Sequence, residues 1–410
     1  MCAQRFEPVR KVSIGWPHLV VLVAIVALTI RLRPEPSSAS ASFEPLVVLA
    51  FFPLIVAVHE LGHAVAAVLV GHRILEVRLG VGPGLTIPLG RGRLTIGLLP
   101  IGGYVMTGSL DPTAYRAKRS LVMAAGMTAN AAVFVWTLLA DDPSITQQMF
   151  ALINVLVIVE NILPYSLPTS YGPMRTDGLG FIRTMLDSEA QLAEERAMFA
   201  VTAAAVASQR SDWEEARRIA DEAFARNPRS SVLRTWLGQT VGAAGDHAAA
   251  RVIFRDLVDD DRRARLPVLA SRDTVSRAVH LNDLAWTDLM LDDPALVDEA
   301  LEASASALEL LPEHPGIRTT RAFALIAAGR PGEGIDLGRS AYGKTKEARA
   351  RAMVASVLAI GYARDWRFHQ ADRWIAQARR WDPDCPLVRR AESEVDARRS
   401  DGPGAVAESG

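Results

Sequence analysis

The stretch "VAVHELGHAVAA", from Val56 to Ala67, places two histidines and a glutamate inside a long apolar run. A charged group at the centre of a bilayer costs about 2.5 to 3.5 kcal/mol on insertion scales. Positions four apart lie on one face of a helix, so His59 and His63 can present two imidazole nitrogens to one ion, with Glu60 beside them. In HExxH, zinc activates a water and the carboxylate is the general base. The pattern therefore predicts a zinc site, because a bound cation offsets the cost of burying these groups.

The residues alone leave the third protein ligand of such a zinc open. The metzincin spacing requires glycine and histidine at positions occupied by Ala66 and Leu69, which excludes that class. His72 follows Gly71 at the end of the apolar run, and we interpret it as an interfacial residue. Two acidic candidates remain: Glu160 in "VIVENILP" and Asp177 in "MRTDGLG".

The chain has 410 residues, of which half are apolar, and it divides into two unlike halves. Long apolar runs extend to about Leu167, whereas from about Ser188 the sequence is rich in Ala, Arg, Glu and Asp with a helical rhythm. The net charge of -1, without any basic tail, argues against a nucleic-acid-binding protein. Cys2 and Cys385 are distant from each other in the sequence, and neither has a ligand-like spacing, so we expect no disulfide framework and no thiolate metal site.

Four apolar segments approach the roughly 20 residues that a membrane helix needs. The first of them is either a signal peptide or a retained helix, and Arg31 and Arg33 directly after it favour retention. Lys and Arg are frequent before the first segment and between the second and third, but "DDPSITQ" between the third and fourth has none. The N-terminus and everything after the fourth segment are therefore predicted to be cytoplasmic. The predicted spans are residues 16–32, 46–70, 121–140 and 149–167.

The connection between the second and third spans has a β-like pattern. Residues 72–108, "HRILEVRLGVGPGLTIPLGRGRLTIGLLPIGGYVMTG", alternate aliphatic residues with Gly and Pro. This alternation predicts short strands and hairpins. Because non-helical backbone at membrane depth must be surrounded by protein or by a water-filled cavity, we expect a small membrane-associated sheet beside the helices.

The second half contains recurring small residues. Alanines seven positions apart, followed five positions later by proline, occur three times: Ala216, Ala223 and Pro228; Ala300, Ala307 and Pro312; Ala371, Ala378 and Pro383. Two further pairs lie 34 residues beyond the leading alanines of the first two sets: Ala250 with Leu257 and Gly334 with Ala341. This period resembles tetratricopeptide (TPR) helical hairpins and predicts a solenoid over residues 188–395, rather than a generic helical bundle, with a disordered tail at 396–410.

Several motifs of the first half resemble the site-2 protease family of intramembrane (M50-type) zinc metalloproteases. They are HELGH in an apolar helix, "LPIGGYV", "AGMTAN", and "NILP" followed by "DG", in that order between Leu46 and Gly180. The resemblance implies His59, His63 and Asp177 as ligands of one zinc ion per chain and Glu60 as the base. "YSLPTSYGPMRT" between Pro164 and Asp177 departs from the family pattern, and the commonly inserted PDZ domain is missing.

The resemblance also implies a set of substrate-binding residues. Asn130 matches a residue that helps to hold the substrate, although an asparagine in a membrane helix also forms hydrogen bonds between helices. Gly102, Gly103 and Tyr104 resemble the substrate-presenting loop, although a glycine-rich turn with an interfacial tyrosine explains them equally well.

We therefore expect a mainly α protein: a polytopic membrane helix bundle with a small β-sheet (residues 1–187), then a soluble TPR-like domain. The expected function is intramembrane cleavage of a membrane-spanning protein in a bacterial inner membrane, with the TPR-like domain docking substrate or a regulator. The alternatives are a non-catalytic membrane-anchored scaffold with a vestigial metal site and, less favoured, a tethered peptidase that acts on soluble chains.

Overall fold

The computed structural model describes residues 44–139, 144–169, 172–263 and 271–401. The predicted first span, residues 16–32, lies outside these ranges. The chain forms two compact units, of which the first ends at Leu233 and the second begins at Arg234. Both are mainly helical, as the sequence predicts.

The first unit combines helices with two antiparallel strand pairs. Its helices are α1 (Glu44–Leu69), α2 (Tyr115–Leu138), α3 (Ile145–Ile162), α4 (Asp177–Leu186), α5 (Glu189–Gln209) and α6 (Trp213–Arg226). Its strands are β1 (Arg73–Leu89), β2 (Gly92–Gly108), β3 (Ser166–Thr169) and β4 (Gly172–Arg175).

Among the described residues, two helices are long and apolar enough to cross a membrane: α1, over Phe51–Leu69, and α2. In α3 the apolar part is shorter, Gln147–Ile162. The predicted fourth span continued to residue 167, but α3 ends earlier because Leu163 precedes Pro164 and adopts an extended conformation. A bundle of four membrane helices stays a prediction.

Helices α1 and α2 approach each other closely at Gly62. A Cβ atom on Gly62 would lie 2.6 Å from the carbonyl oxygen of Ala125 and 2.8 Å from Cβ of Ala129. Small residues at this contact let the two backbones meet, as is typical of helix pairs in membranes. The approach brings α2 against the side of α1 that carries the HELGH histidines.

Strands β1 and β2 form the small sheet that residues 72–108 predict. Arg73 pairs with Gly108, while Glu76 pairs with both Met106 and Arg93, so the first part of β1 lies between two parts of β2. In this sheet, polar side chains are buried and apolar ones are exposed, which is the opposite of a sheet folded in water. Glu76 is buried and accepts hydrogen bonds from Arg93 (2.8 Å) and Thr95 (2.9 Å). Large apolar side chains are instead exposed: Leu85, Ile87, Leu89, Ile96, Leu98 and Leu99.

The second unit consists of a series of paired helices. They are α7 (Ser231–Ala243, which begins before the unit boundary), α8 (His247–Arg263), α9 (Ser271–Leu291), α10 (Val297–Leu310), α11 (Pro315–Ala327), α12 (Pro331–Lys344), α13 (Ala348–Arg364), α14 (Phe368–Trp381) and α15 (Pro386–Asp401). A short 3-10 helix, Pro294–Leu296, precedes α10.

The small residues that define the sequence period are buried, which explains their spacing. Each of these pairs lies on one face of α6, α8, α10, α12 or α14: Ala216 and Ala223, Ala250 and Leu257, Ala300 and Ala307, Gly334 and Ala341, Ala371 and Ala378. At Gly334 a Cβ atom would lie 2.7 Å from the carbonyl oxygen of Ala322 in α11. The partner helices therefore pack where the side chains are smallest.

Helix α15 covers inner helices of this unit. Arg390 donates a hydrogen bond to the carbonyl oxygen of Leu289 in α9 (2.7 Å), and its guanidinium lies 5.2 Å from the ring centre of Phe323 in α11. Arg364 in α13 donates to Glu394 (2.8 Å). Helix α15 thus contacts helices α9, α11 and α13 of the same unit.

Two predicted boundaries differ from the observed elements. Residues 396–401, assigned to the disordered tail, continue α15, and residues 402–410 lie outside the described ranges. Helices α5 and α6, assigned to the repeats, belong to the first compact unit. The Arg119–Glu195 and Arg73–Glu215 ion pairs join them to α2 and β1. A domain boundary at 187/188 stays a prediction.

Candidate metal centre

Three side chains from two distant stretches of sequence meet in the first unit. His59 and His63 lie one turn apart on α1, and Asp177 is the first residue of α4. The two Nε2 atoms are 3.2 Å apart, and each is 2.9 Å from Oδ2 of Asp177. Both histidines are buried, and the aspartate side chain is 17% exposed. This is a group of ligand atoms that could hold a metal ion.

A hydrogen bond to the backbone determines which ring nitrogen of His63 carries the proton. Its Nδ1 lies 2.6 Å from the carbonyl oxygen of Val122 in α2, which can only accept, so Nδ1 carries a proton. In the neutral ring, Nε2 then has a lone pair directed at a carboxylate oxygen and at His59. Lone pairs repel one another unless a positive centre lies among them, and a metal ion ligated by all three groups would supply that centre. Backbone orientation of the second ring nitrogen is usual for metal-binding histidines.

The spacing of the three atoms suits zinc. Ligand atoms about 2.0 to 2.1 Å from a tetrahedral zinc lie roughly 3.3 Å from one another. The observed separations of 2.9 and 3.2 Å are close to that value. Two imidazoles with one carboxylate are also the donor set that many catalytic zinc sites use, with a fourth position left for water.

Gly126 of α2 makes room for this cluster. A Cβ atom there would collide with Nε2 of His63 and lie 2.7 Å from Nε2 of His59. Any larger residue would fill the space between the two rings where an ion fits. Gly126 and the Val122 carbonyl, one turn earlier, were not identified as site residues from the sequence. Gly126 lies in "AGMTAN", one of the motifs that carry the family resemblance, so the sequence could have indicated it. A backbone carbonyl leaves no pattern in the sequence.

The stretch "YSLPTSYGPMRT" does not carry Asp177 away from the histidines. It folds into the β3–β4 hairpin, in which Ser166 pairs with Arg175, and the amide of Thr176 donates to the carbonyl oxygen of Tyr165 (3.1 Å). The chain thus returns to the end of α3. Gly178 then packs against the carbonyl oxygen of Ile162, where a Cβ atom would collide. This local folding explains how the departure from the family pattern still leaves the aspartate at the site.

Glu160, the alternative third ligand, is engaged elsewhere. The hydroxyl of Tyr165 donates to Oε1 of Glu160 (3.2 Å), and burial together with this carboxylate raises the pKa of Tyr165. Glu160 is not in the group of mutually close ligand atoms, whereas Asp177 is. Of the two candidates that the sequence left open, the geometry favours Asp177.

Glu60 lies beneath the β1–β2 hairpin. It is 6% exposed and close enough to interact electrostatically with His63 and Asp177. A Cβ atom on Gly103 would lie 2.9 Å from Oε1 of Glu60 and 2.6 Å from the carbonyl oxygen of Arg78. The glycine therefore lets the strand approach the carboxylate. Next to it, Gly102 has a φ of +69°, a left-handed conformation that favours glycine.

Tyr104 follows Gly103 on β2 and interacts with Glu76 of β1. Burial, with a contribution from Glu76, raises the pKa of Tyr104 to about 12, so its hydroxyl keeps its proton at neutral pH. The phenol hydrogen-bonds with the Glu76 carboxylate. Tyr104 therefore braces the loop that contains Gly102 and Gly103.

Asn130 is fully buried in α2, and neither polar atom of its side chain has a hydrogen-bond partner among the described residues. The hydrogen bond between helices that offered a structural explanation for Asn130 is thus not observed there. Buried amides are nearly always hydrogen-bonded, so the two open positions of this side chain are unusual.

His72, interpreted from the sequence as an interfacial residue, packs inside the first unit. Its ring is buried and stacks on Tyr115 with 5.7 Å between ring centres. Burial, assisted by the positive charges of Arg119 and Lys118, lowers the pKa of His72 to about 4. His72 is therefore neutral at physiological pH and belongs to the packing between the start of β1 and the start of α2.

Comparison with known protein families finds a match within the first half of the chain. Residues 47–141 match the sequence model of peptidase family M50. These residues include the HELGH motif, most of α1, the β1–β2 hairpin and α2, so this stretch is an M50-type region, as its motifs predict. No curated protein matches the chain.

Solved structures that are similar to the chain include TPR proteins. YrrB, described as a TPR protein with an unusual peptide-binding site, is 17% identical, with 50% of this chain and 98% of YrrB covered and a TM-score of 0.30. The TPR domain of P58(IPK) is 13% identical, with 71% of this chain and 85% of that domain covered and a TM-score of 0.25. At such low TM-scores, it is the chain's own helix pairs and buried small residues that argue for a repeat architecture.

Proposed function

We propose that this protein is an M50-type zinc metalloendopeptidase that cleaves a membrane-spanning protein, as in regulated intramembrane proteolysis. The observation that carries the proposal is the group formed by His59, His63 and Asp177 next to Glu60 in an apolar helix of an M50-type region. One zinc ion per chain would be held by the two Nε2 atoms and the Asp177 carboxylate. A bound zinc ion polarises a scissile carbonyl and lowers the pKa of a water.

Glu60 acts as the general base. Its carboxylate lies one residue after His59, where it takes a proton from the attacking water and delivers that proton to the leaving nitrogen. Burial under the β1–β2 hairpin keeps bulk water away from Oε1, and the lack of a side chain at Gly103 leaves room for the carboxylate to exchange its proton. His63 keeps its orientation through the Val122 carbonyl during both proton transfers.

The substrate proposed is the membrane span of another protein in extended form. Asn130 offers an amide donor and an amide acceptor without partners among the described residues, which suits a peptide backbone. Gly102, Gly103 and Tyr104 form the strand segment beside Glu60, where a substrate would be presented. The exposed apolar face of the hairpin supports immersion of this region in lipid.

The remaining assignments complete this proposal. Residues 1–187 are the membrane-embedded protease domain in a bacterial inner membrane, with both the N-terminus and the C-terminal half cytoplasmic. Residues 188–395 are a TPR-like domain that docks the substrate or a regulator, and 396–410 form a tail. The absence of basic clusters that would hold nucleic acid supports a protein partner.

Glu60→Gln tests the mechanism, because glutamine keeps the shape of the side chain but cannot take a proton. We expect Glu60→Gln to retain about one zinc per chain and to lose cleavage. The measurement compares membrane proteomes of cells that produce the unmodified protein, Glu60→Gln or the control Glu160→Gln, and identifies spanning proteins that accumulate uncut. The proposal is supported if a spanning protein accumulates uncut in cells that produce Glu60→Gln but not in cells that produce Glu160→Gln. If cleavage in Glu60→Gln cells is undiminished, or no protein accumulates, the catalytic assignment is wrong and the scaffold alternative gains.

A further inference from the structure

Arg116 holds the C-terminal end of α4, the helix that begins with Asp177. Its Nη1 donates to the carbonyl oxygens of Thr184 (2.7 Å) and Met185 (3.0 Å), and its Nη2 donates to the carbonyl oxygen of Asp187 (2.7 Å). Nη2 also pairs with Glu189 at the start of α5 (2.8 Å). One guanidinium thus satisfies three carbonyls at the end of a helix, where they lack partners within the helix itself.

Nothing at the start of α2, the helix that contains Arg116, favours a positively charged residue at this position. Arg116 lies in the first turn of α2, which has no acidic residue, and the preceding Ala114 provides no side-chain cap. A cation is unfavourable at the N-terminus of a helix and favourable at a C-terminus, because of the helix dipole. The arginine therefore weakens the start of α2 and stabilises the end of α4, which indicates that its role lies in α4.

Helices α2 and α4 run antiparallel and contact each other in register. Arg116 meets Thr184, and further along α2 Met123 meets Gly180, where a Cβ atom would lie 2.8 Å from the Met123 sulfur. The next step along both helices is the metal centre itself, with Gly126 on α2 and Asp177 on α4. The same helix α2 also orients His63 through the Val122 carbonyl.

The other end of α4 is fixed to a different helix. The Thr176 hydroxyl donates to the carbonyl oxygen of Leu163 (2.6 Å), and Gly178 packs against the carbonyl oxygen of Ile162. Both contacts are with the end of α3, which contributes no residue to the cluster. The hydrogen bonds of Arg116, the contact at Gly180 and the hydrogen bond from the Ser120 hydroxyl to the Met185 sulfur (3.4 Å) therefore tie α4 to the helix that orients His63.

We propose that Arg116 is a positioning residue that sets the place of Asp177 along α2 and so sets the affinity of the centre for its metal ion. The inference rests on the metal centre of the proposed function. Without the guanidinium, the last turn of α4 loses its hydrogen bonds to α2, and the register between the two helices then depends on the Met123–Gly180 contact and on the attachment of Thr176 to the end of α3. Mutation of a residue that orients a metal ligand without itself contacting the ion typically changes metal affinity by about 10- to 100-fold.

The test measures the zinc dissociation constant of the purified full-length protein in detergent, by competition with a chromophoric chelator. We expect Arg116→Ala to weaken zinc binding about tenfold or more, within the range for such residues. Arg116→Lys should recover part of the loss, because it keeps the charge but not the planar fork that spans several carbonyls. Arg119→Ala is the matched control, since Arg119 lies on the same helix and pairs with Glu195 of α5. We expect its zinc affinity to change less than about twofold.

Melting of the metal-free variants separates positioning from folding: Arg116→Ala and Arg119→Ala should melt at similar temperatures. Unchanged zinc affinity in Arg116→Ala, or an equal loss in Arg119→Ala, would overturn the inference. A separate measurement on His59→Ala distinguishes this failure from failure of the metal centre. If His59→Ala abolishes zinc binding and Arg116→Ala does not alter it, only the positioning role is wrong. If neither variant alters zinc binding, the proposed metal centre fails.

Discussion

The two units of this protein place polar and apolar side chains in opposite ways. In the first unit the charged and polar side chains of His59, Glu60, His63, Glu76 and Arg78 are buried, while most of the large exposed apolar side chains of the described chain lie before residue 187. In the second unit the interior is apolar, with Phe254, Phe323 and Leu358 fully buried. The second pattern is that of a protein folded in water. The first is expected where the surroundings are themselves apolar.

The units also differ in how they neutralise buried charge. In the second unit, Asp288 is buried but receives a hydrogen bond from Arg251 (2.5 Å), and burial still raises the pKa of Asp288 to about 6. In the first unit, the Asp177 carboxylate instead lies against ring nitrogens of His59 and His63, each 2.9 Å from Oδ2. In the proposed function, a metal ion would supply there the positive charge that Arg251 supplies at Asp288.

The largest expected contrast comes from adding one charge to each surface. Leu98 in the hairpin is 75% exposed and Val252 in α8 is 62% exposed. An arginine facing lipid at the bilayer midplane costs about 2 to 4 kcal/mol, whereas exposed substitutions in water usually change stability by less than about 0.5 kcal/mol. We expect Leu98→Arg to reduce the fraction of folded protein in membranes and to lower its melting temperature in nanodiscs. Val252→Arg should do neither, and equal behaviour of the two variants would contradict the difference in surroundings.

A second contrast uses the same substitution in both units. Gly126→Ala puts a methyl group between the two histidine rings, and Gly334→Ala puts one against Ala322 and Ile326. Overpacking a core costs about 1 to 3 kcal/mol, so we expect Gly334→Ala to lower the melting temperature and to leave zinc content unchanged. Gly126→Ala should chiefly remove zinc. Titration with zinc and thermal melting of both variants check this, and full zinc binding by Gly126→Ala would show that the space does not hold the ion.

The smallest expected effect concerns acid stability of the first unit. Hydrogen bonds from Arg218 and Arg73 lower the pKa of Glu215 to about 2 from its ordinary value of 4.5. A carboxylate with a depressed pKa stabilises the folded state above about pH 4.5, and this contribution is lost as the pH falls towards 2. Because both arginines are more than a third exposed, we expect only about 1 kcal/mol from these pairs.

Glu215→Gln should therefore melt at a lower temperature than the unmodified protein at pH 6, and this difference should shrink steadily as the pH falls below about 4.5. Melting curves between pH 3 and pH 6 measure this difference. Glu214→Gln, one residue away, is the control and should keep the pH dependence of the unmodified protein. A constant offset between Glu215→Gln and the unmodified protein across this range would exclude the ion pairs as its cause.

The sequence predicted the parts of the fold and site that depend on spacing. The four-residue interval between His59 and His63, the alternation in residues 72–108 and the recurring small residues each determine local geometry, and the corresponding helix, sheet and helix pairs are present. The M50 resemblance, which rests on ordered motifs, is confirmed for residues 47–141.

What the sequence could not provide depends on contacts between distant residues. The choice between Glu160 and Asp177 depends on the β3–β4 hairpin, which turns the chain back to the end of α3. The burial of His72 depends on stacking against Tyr115. Arg116 donates its hydrogen bonds to backbone carbonyl oxygens at the end of α4, and such partners leave no pattern in the sequence. Such features follow from tertiary packing rather than from local pattern.

The most direct test of a single buried metal ion in the first unit is the zinc content of purified, folded protein. The unmodified protein and Glu160→Gln should each contain about one zinc per chain. Asp177→Ala should contain much less, because removal of one ligand leaves only the two imidazoles. Folded protein without zinc, or full zinc occupancy in Asp177→Ala together with its loss in Glu160→Gln, would contradict the assignment of this centre.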